Sequence, residues 1–411
     1  MKLAIIWFLI ANECSKLSFH LIRDTYLYHV KIGFDSKRLF CNFTGLGNYS
    51  RTLVKNLKKF YPVHLYNLYT PKLVDTDVTD DFFDEVKYKV RVSTAFLTSV
   101  WRSYSIVNQL KKDGIELYHG LSHELPFRIQ KSGIKSVVTI HDLIFKVYPS
   151  TYAYFDRTID EIKFKNACVN ADKIVAISEN TKKDIIKFYG IDPTKIEVVY
   201  QSVDPLYFEQ TTDEVEHKVF KQNKIPADYF LYVGSVQERK NLKLIVEAYN
   251  QLVNESPVSG GFKVPLVIVG KGKKYKEEVI QLIQDYKLEN LVIWLDKLDD
   301  NYALKALYHK AKALIYPSYY EGFGLPIAEA LLCKTPVITS GVSCLPEAGG
   351  PNSLYIDPRS HQELAGAITK VLTDKKMVAA MKEKGYQYAC ERFSAKTVSE
   401  HMMKVYQDLI S

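Results

Sequence analysis

The chain has 411 residues, of which 47% are hydrophobic and 25% charged, and its net charge at neutral pH is +8. This length favours two domains over one, and the composition excludes a disordered or fibrous protein. The positive charge favours anionic ligands, lipid phosphates or a cytoplasmic membrane leaflet. No nucleic-acid partner is expected, because long Lys/Arg clusters and nucleic-acid modules are missing from the sequence. Six cysteines without CxxC spacing indicate reduced thiols in a cytoplasmic protein and predict no metal site.

Residues 1–30 differ from the rest of the chain. The run LAIIWFLIA after Lys2 resembles the front of a signal peptide, but it is too short to span a bilayer. No small-residue cleavage site follows it. We therefore expect residues 1–30 to be an over-long start or a disordered extension rather than a working signal.

From residue 31 onward, short apolar runs alternate with helical patterns, as is typical of parallel α/β sheets. In the first half the predicted strands are 31–35, 64–68, 117–119, 136–141, 173–177 and 196–199, with helices such as 47–61 and 181–189. In the second half they are 229–233, 266–269, 291–295, 313–316, 336–339 and 353–356, with helices such as 240–254, 274–285 and 302–310.

A polar stretch at 203–224 separates the two halves. The sequence therefore predicts two Rossmann-like doubly wound domains in series, at 31–215 and 216–392, and a last helical segment at 393–411. Open sheets of this kind bind ligands at the carboxyl ends of their strands, so two facing sheets would place a ligand in the cleft between them.

Three glycine turns follow predicted strands, at 44–48, at Gly234 and at 270–272. Such turns alone are weak evidence, because every tight strand-to-helix connection needs them. The second turn is stronger, because Arg239 and Lys240 place cations at a helix start, where the helix dipole disfavours them unless a diphosphate lies between. The alternative is two solvated charges. The turn residues expected to contact a ligand are Gly45, Gly47, Asn48, Gly234, Ser235, Gly270 and Lys271.

The segment EGFGLPIAE holds two carboxylates, Glu321 and Glu329, around a glycine turn that enters a helix. Backbone N–H groups at Gly322 and Gly324 can approach a ligand closely, and Pro326 suits the first helical turn. Helix N-termini attract anions, so two acids beside one suggest a nucleotide sugar. The amides would take the diphosphate, and the carboxylates would accept hydrogen bonds from sugar and ribose hydroxyls.

A histidine, His141, ends the apolar run SVVTI, in the ligand position of such a sheet. It could hydrogen-bond a sugar hydroxyl or stabilise charge near the reacting carbon. A structural histidine is the alternative. His119 has the same placement with weaker support, and Asp142 could simply cap or orient a loop.

Five segments occur in an order that resembles the retaining glycosyltransferases of the GT-B fold, family four: TGLGNYSRTL, VVTIHDL, VAISENTKKDI, LYVGSVQERKNL and YPSYYEGFGLPIAEALLCKTPVITSGVSCLPE. The resemblance covers about residues 31 to 405. The two glutamates with their flanks are its specific part.

The resemblance implies roles for the acids and cations. Glu321 would contact hydroxyls of the donor sugar, Glu329 those of the ribose, and Lys240, supported by Arg239, would bind the diphosphate. His141 would face the donor sugar. The remaining implied contacts are the backbone of Gly322, Phe323, Gly324 and Leu325 at the sugar and phosphates, the loop Gly45–Asn48 closing from the first domain, and the base near Asp296–Leu298. The last helix, after Ser394, would cross back to the first domain.

The sequence departs from the family pattern at several positions. Ser235 stands where many relatives have arginine, which puts more weight on Arg239 and Lys240. Gln201 and Ser202 replace the usual Asn-Gly, which leaves the contact at the hinge open. Lys334 stands where a glycine is usual.

The implied activity is metal-independent, retaining transfer of a hexosyl group, with mannose from GDP-mannose as a guess and a UDP-hexose as the other donor. No DxD motif appears at a predicted strand end, and no cofactor is expected. The acceptor would be a glycan or lipid-linked sugar of surface polysaccharide or lipopolysaccharide synthesis. We expect a cytoplasmic protein that binds peripherally at the inner face of the plasma membrane. A sugar-nucleotide epimerase and a non-catalytic partner of the same fold are the alternatives.

Overall fold

The computed structural model describes residues 29–209, 213–255, 261–296, 298 and 301–410. The expectation for residues 1–30 falls almost wholly outside these residues.

The first half of the chain forms a seven-stranded sheet in which all strands are parallel, in the order β3-β2-β1-β4-β5-β6-β7. Its strands are β1 (Lys31–Asp35), β2 (Leu65–Thr70), β3 (Tyr88–Val92), β4 (Leu117–Gly120), β5 (Lys135–Ile140), β6 (Lys173–Ala176) and β7 (Ile196–Val198). The helices of this half are α1 (Lys37–Cys41), α2 (Gly45–Phe60), α3 (Thr98–Val100), α4 (Ile106–Asp113), α5 (Ile144–Val147), α6 (Tyr154–Asn170) and α7 (Glu179–Tyr189).

The second half forms a six-stranded parallel sheet in the order β10-β9-β8-β11-β12-β13. Its strands are β8 (Phe230–Val233), β9 (Leu266–Val269), β10 (Val292–Leu295), β11 (Leu314–Tyr316), β12 (Val337–Ser340) and β13 (Leu354–Ile356). The helix α8 (Asp213–Asn223) precedes the first strand of this sheet. The other helices of this half are α9 (Leu242–Asn254), α10 (Lys274–Asp285), α11 (Asn301–Lys310), α12 (Leu325–Leu332), α13 (Leu345–Gly349), α14 (His361–Thr373) and α15 (Lys375–Phe393).

Helices cover both faces of each sheet, which is why strands such as FLYV in β8 are apolar at every position. One face of the first sheet carries Phe34, which is in one core with Leu53 and Leu57 of α2. The other face carries Tyr118 and Val138, which belong to a second core. Each half therefore has its own two-sided core, as the predicted doubly wound architecture requires.

The last helix, α16 (Ala395–Ile410), returns to the first sheet, as expected. The hydroxyl of Tyr406 lies 2.6 Å from Nδ1 of His119, and Met402 is fully buried in the first core. Burial, together with nearby His141, lowers the pKa of His119 to about 3. His119 is thus a neutral side chain of the core. This is the structural interpretation of the residue, and not that of a ligand contact.

The carboxyl ends of the two sheets meet across a close contact. A Cβ atom added to Gly322, after β11, would overlap the carbonyl oxygen of His141, after β5. The carboxylate of Glu347 accepts hydrogen bonds from the backbone N–H groups of Glu179 and Asn180, at 2.6 and 3.0 Å. These are the first two residues of α7, so one domain caps a helix of the other.

The predicted strands agree with the observed ones to within two residues at each end, but β3 was missed. Its sequence, YKVRV, is an edge strand with exposed charged residues, so it lacks the continuous apolar run of a buried strand. The predicted helices at 47–61 and 240–254 begin two residues from their observed starts. The predicted domain boundaries near residues 215 and 392 stay predictions.

The contact at Gly322 predicts a specific sensitivity. Gly322→Ala should lower the free energy of unfolding by about 1–3 kcal/mol, because the methyl group has no room beside the His141 carbonyl. Thermal unfolding followed by circular dichroism measures this. The matched control is Gly366→Ala in α14, where an added Cβ meets nothing within 4 Å and alanine favours the helix. Equal stability of the two variants would contradict the tight interdomain contact.

Candidate active site

A buried ion cluster lies where the second sheet faces the first. Arg239 Nη1 is 2.8 Å from Glu321 Oε2, and Lys240 Nζ is 3.1 Å from Glu321 Oε1. The hydroxyls of Tyr316 and Ser318 each donate to Glu321 Oε1 at 3.1 Å. Glu321 is only 8% exposed, so a charge that would be unfavourable alone is fully partnered.

The charges of the cluster set the protonation state of Glu321. Burial acts to raise the pKa of this carboxyl, but Lys240 and Arg239 outweigh it and hold the pKa at about 2. Glu321 is therefore an ionised hydrogen-bond acceptor at neutral pH. That property suits a group that accepts hydrogen bonds from hydroxyls and does not suit a general acid.

The turn that carries Glu321 is held by residues of the next loop. Ser343 Oγ donates to the Glu321 carbonyl at 3.0 Å and accepts from the Glu321 N–H at 3.3 Å. The thiol of Cys344 donates to the carbonyls of Glu321 and Phe323 at 3.0 and 3.2 Å. Phe323 itself is buried against Phe393, so its side chain belongs to the core of the second domain.

The predicted turns of the second domain meet beside this cluster. A Cβ on Gly270 would overlap the carbonyl oxygen of Gly234, so the ends of β8 and β9 touch through glycine backbone. The Gly234 α-carbon also lies against the side chain of Lys240. Lys271 accepts a backbone hydrogen bond from Val236 at 2.8 Å, next to Ser235. The structure thus brings Gly234, Gly270 and Lys240 together.

His141 lies at the end of β5 with both ring nitrogens engaged. Nε2 is 3.0 Å from the Leu121 carbonyl oxygen, and Nδ1 is 3.2 Å from the Gln201 side-chain amide. The Tyr49 ring packs edge-on at 4.5 Å between ring centroids. Burial lowers the pKa of His141 to about 4, partly opposed by the hydrogen bond to Leu121, so the imidazole is neutral.

A cavity of about 540 Å³ lies between the domains and adjoins the second acid. Asn48 lines it from the first domain, Gln201 from the connecting segment, and Leu325 and Glu329 from α12. Asn48, Leu325 and Glu329 were all predicted as donor contacts, so the structure gathers them at one site. Volumes of about 300–1,000 Å³ are typical of small-molecule sites.

Glu329 differs from Glu321 in its protonation. Burial raises its pKa to about 7, although the hydroxyl of Tyr308, donating at 2.8 Å, opposes this rise; Asp204 adds to it. The two carboxylates of the segment therefore have environments that push their pKa values in opposite directions. No cation is among the groups that shift the pKa of Glu329, whereas Glu321 has two.

The predicted loop at Gly45 and Gly47 is the first turn of α2. Asn42 Oδ1 accepts from the N–H groups of Thr44 and Gly47 at 2.9 and 3.1 Å, so Asn42 caps this helix from before its start. Gly45 faces open space. Leu298, expected near the base, packs against the core of the second domain.

Several residues of the site were not singled out from the sequence. Tyr316, Ser318, Ser343 and Cys344 hydrogen-bond to Glu321, and Tyr308 hydrogen-bonds to Glu329. The repeated aromatic and hydroxyl residues of YPSYYE, directly before Glu321, were the available signal, because buried charges need nearby donors.

Two doubly wound parallel sheets facing each other across a charged cleft are the architecture of the GT-B glycosyltransferases. Models of two families match the chain: that of the glycosyl transferases group 1 matches residues 215–388, and that of glycosyltransferase family 4 matches residues 43–206. Together they span most of the chain, which therefore belongs to these glycosyltransferases.

Individual relatives agree with this assignment. O-antigen chain mannosyltransferase RfbU of Salmonella typhimurium is 27% identical over 348 residues, 81% of this chain and 89% of that protein. O-antigen chain mannosyltransferase B of Escherichia coli is 26% identical over 297 residues, 70% and 74% of the two chains. The structure of HepE from Anabaena with UDP and glucose has a TM-score of 0.69 at 19% identity, covering 93% of this chain and 100% of that one. This likeness supports the fold.

The raised pKa of Glu329 predicts a pH-dependent stability difference. An acid whose pKa is higher folded than unfolded makes the fold less stable as it ionises, so the penalty grows from pH 4.5 to about 7 and then levels off. Glu329→Gln keeps the acceptor for Tyr308 and removes this penalty. Its melting temperature should exceed that of the wild type increasingly between pH 5 and pH 7. Parallel curves of melting temperature against pH would show that Glu329 is not perturbed.

Proposed function

We propose that this glycosyltransferase moves a hexosyl group from a nucleotide-diphosphate sugar, with retention of configuration and without a metal ion. The observation that carries the proposal is the ion cluster of Arg239, Lys240 and Glu321 at the cleft. Two cations and one carboxylate leave a net charge of one positive unit, which can attract the negatively charged diphosphate. The carboxylate stays ionised and can accept bonds from sugar hydroxyls.

In this proposal the donor lies along the carboxyl edge of the second sheet. Its diphosphate lies over the glycine backbone of Gly234 and Gly270, against Lys240 and Arg239. Its sugar reaches Glu321, and its ribose reaches Glu329 at the neighbouring cavity. Backbone N–H groups at the start of α12 add to the stabilisation of the phosphates.

The reaction exchanges one bond at the anomeric carbon. The bond from this carbon to the diphosphate oxygen breaks, and a bond to the acceptor hydroxyl oxygen forms on the same face. The departing phosphate oxygen takes the acceptor proton, so neither glutamate is a nucleophile. Lys240 and Arg239 stabilise the charge that develops on the leaving diphosphate, a kind of stabilisation that is commonly the largest catalytic contribution.

The neutral state of His141 limits its part in this chemistry. With a pKa of about 4 it carries no charge at neutral pH, so it does not stabilise charge as an imidazolium. His141 lies at the end of β5 with its carbonyl oxygen against Gly322. This position suits a residue that lines the site beside the donor sugar.

For the donor and the pathway, the names of the relatives support a choice of substrates to test. Two are named as O-antigen chain mannosyltransferases, and HepE was crystallised with UDP and glucose. We propose GDP-mannose as the first donor to test and a UDP-hexose as the second. The acceptor is then a glycan or lipid-linked sugar in lipopolysaccharide or other surface polysaccharide synthesis.

A membrane partner is part of the proposal. None of the described helices is long and apolar enough to cross a bilayer. On α6, however, Phe155, Ile159 and Ile162 lie on one helical face and are 79%, 51% and 56% exposed. An apolar stripe on the outer face of a helix indicates that another surface covers it.

The helix α6 carries three acidic and three basic residues, so it has no net charge of its own. Of these, Lys163 pairs with Glu124 and Glu161 pairs with Lys146. Flotation with anionic liposomes tests the contact. We expect the wild type to float, with binding that weakens as salt rises. Ile159→Ser combined with Ile162→Ser should reduce flotation by removing apolar contact. No salt-sensitive binding to anionic liposomes would count against an anionic membrane partner.

The central role of Lys240 predicts a large loss of turnover on mutation. Lys240→Ala should lower kcat/KM for the donor by more than about tenfold, equivalent to about 1.4 kcal/mol of transition-state stabilisation. The measurement is nucleotide diphosphate release from GDP-mannose and UDP-hexoses, with circular dichroism to show that the variant is folded. Glu321→Ala should show a loss of similar size.

The matched control is Lys243→Ala, close by on α9, where the lysine pairs with Glu278 at the surface. It should retain wild-type turnover. Normal activity in both Lys240→Ala and Glu321→Ala would reject the assigned site. Conversion of a free nucleotide sugar without an acceptor would instead favour an epimerase, and binding without turnover a non-catalytic partner.

A further inference from the structure

A second cavity, of about 600 Å³, lies at the cleft next to the ion cluster. Tyr319 and Tyr355 line it from the second domain, and Tyr148 lines it from the first. Arg359 and Glu363 complete its wall. It is separate from the cavity at Glu329, and none of the ligand-contacting residues predicted from the sequence lines it.

The order of strands places this cavity beyond the donor sugar. Along the carboxyl edge of the second sheet, the order is β10, β9, β8, β11, β12 and β13. The proposed diphosphate contacts follow β9 and β8, and Glu321 follows β11. Gly341 and Asp357, which line the cavity, follow β12 and β13. The cavity therefore lies on the other side of the donor sugar from the diphosphate. Because the acceptor hydroxyl attacks beside the leaving diphosphate, the part of an acceptor glycan that reaches this cavity is the part that extends across the donor sugar.

The lining of the cavity fits a sugar chain. Three tyrosine rings offer apolar faces that can pack against the C–H faces of sugar rings, with hydroxyls at their edges. The loop after β13 is braced from within: Asp357 accepts from the Arg359 N–H at 2.9 Å, and Glu363 accepts from the Asp357 N–H at 2.8 Å. The charged Arg359 and Glu363 side chains lie at the wall, where sugar hydroxyls can pair with them.

We propose that this cavity binds the glycan of the acceptor, on sugar residues that extend beyond the one that receives the hexosyl group. The inference rests on the proposed transfer reaction. It assigns part of acceptor recognition to the second domain. Tyr148 of the first domain packs 6.0 Å from Tyr320, between ring centroids, so the cavity wall is complete only when the domains are in contact.

The test is oligosaccharide binding to the full chain. Saturation-transfer NMR and calorimetry would use a panel of disaccharides to pentasaccharides of mannose, glucose, galactose and N-acetylglucosamine. We expect at least one to bind the wild type. Tyr355→Leu and Arg359→Gln should each weaken that binding by about tenfold, as is typical of a central interface contact. Tyr355→Phe, which keeps the ring, should bind nearly as well as the wild type.

The matched control is Tyr286→Leu, a half-buried tyrosine at the end of α10, on the opposite edge of the sheet. It should leave glycan binding unchanged. The inference is overturned if no oligosaccharide binds the wild type, or if Tyr355→Leu and Arg359→Gln bind as the wild type does. Donor hydrolysis by water, measured in the same variants, should be retained. If instead the wild type turns over no donor at all, the proposed function fails, whatever the glycan result.

Discussion

The paired burial of Glu321 is the interaction on which the rest of the site depends. A carboxylate this deeply buried is tolerable only because Arg239 and Lys240 lie within 3.1 Å and two hydroxyls donate to it. These partners come from the loop after β8 and from β11 with its following loop, so the ion cluster fixes one element against the other. Removing Glu321 would leave Arg239 and Lys240 as two like charges without their carboxylate partner. If Arg239 and Lys240 bind a diphosphate as proposed, the same electrostatics keep both cations in place beforehand, which limits the reorganisation that binding requires.

This cluster is tied to the first domain by its neighbours in sequence. Gly322 follows Glu321 directly and packs on the His141 carbonyl, while Tyr320 precedes it, accepts from Asn180 at 2.7 Å and donates to Asp184. The Tyr320 carbonyl in turn accepts from Arg239. The contact between the domains and the position of the ion cluster are therefore linked through Tyr320, Glu321 and Gly322, which are consecutive in the chain. A separation of the domains would disturb the ion cluster through the backbone on both sides of Glu321.

Both sheets could be predicted from the sequence because buried parallel strands are continuous apolar runs. The edge strand at Tyr88–Val92 could not, because its exposed face carries charges. The acids and cations of the site were also predictable one by one, since they flank glycine turns at strand ends. Which acid pairs with which cation could not be predicted from the sequence. Arg239 and Glu321 are far apart in sequence, and only the strand order, which places β8 beside β11, brings them together. The opposite pKa shifts of Glu321 and Glu329 follow from that tertiary arrangement.

The departure at Gln201 shows how an unusual residue can be accommodated. Its side-chain amide donates towards Nδ1 of His141, which leaves the ring proton on Nε2 to be donated to the Leu121 carbonyl. Both nitrogens are then used within the first domain, and burial favours the same neutral form. The cation that acts on the pKa of His141 is Arg38, which lowers it and so also favours the neutral form. The Gln201 amide therefore stabilises the neutral tautomer of His141 that donates to the Leu121 carbonyl.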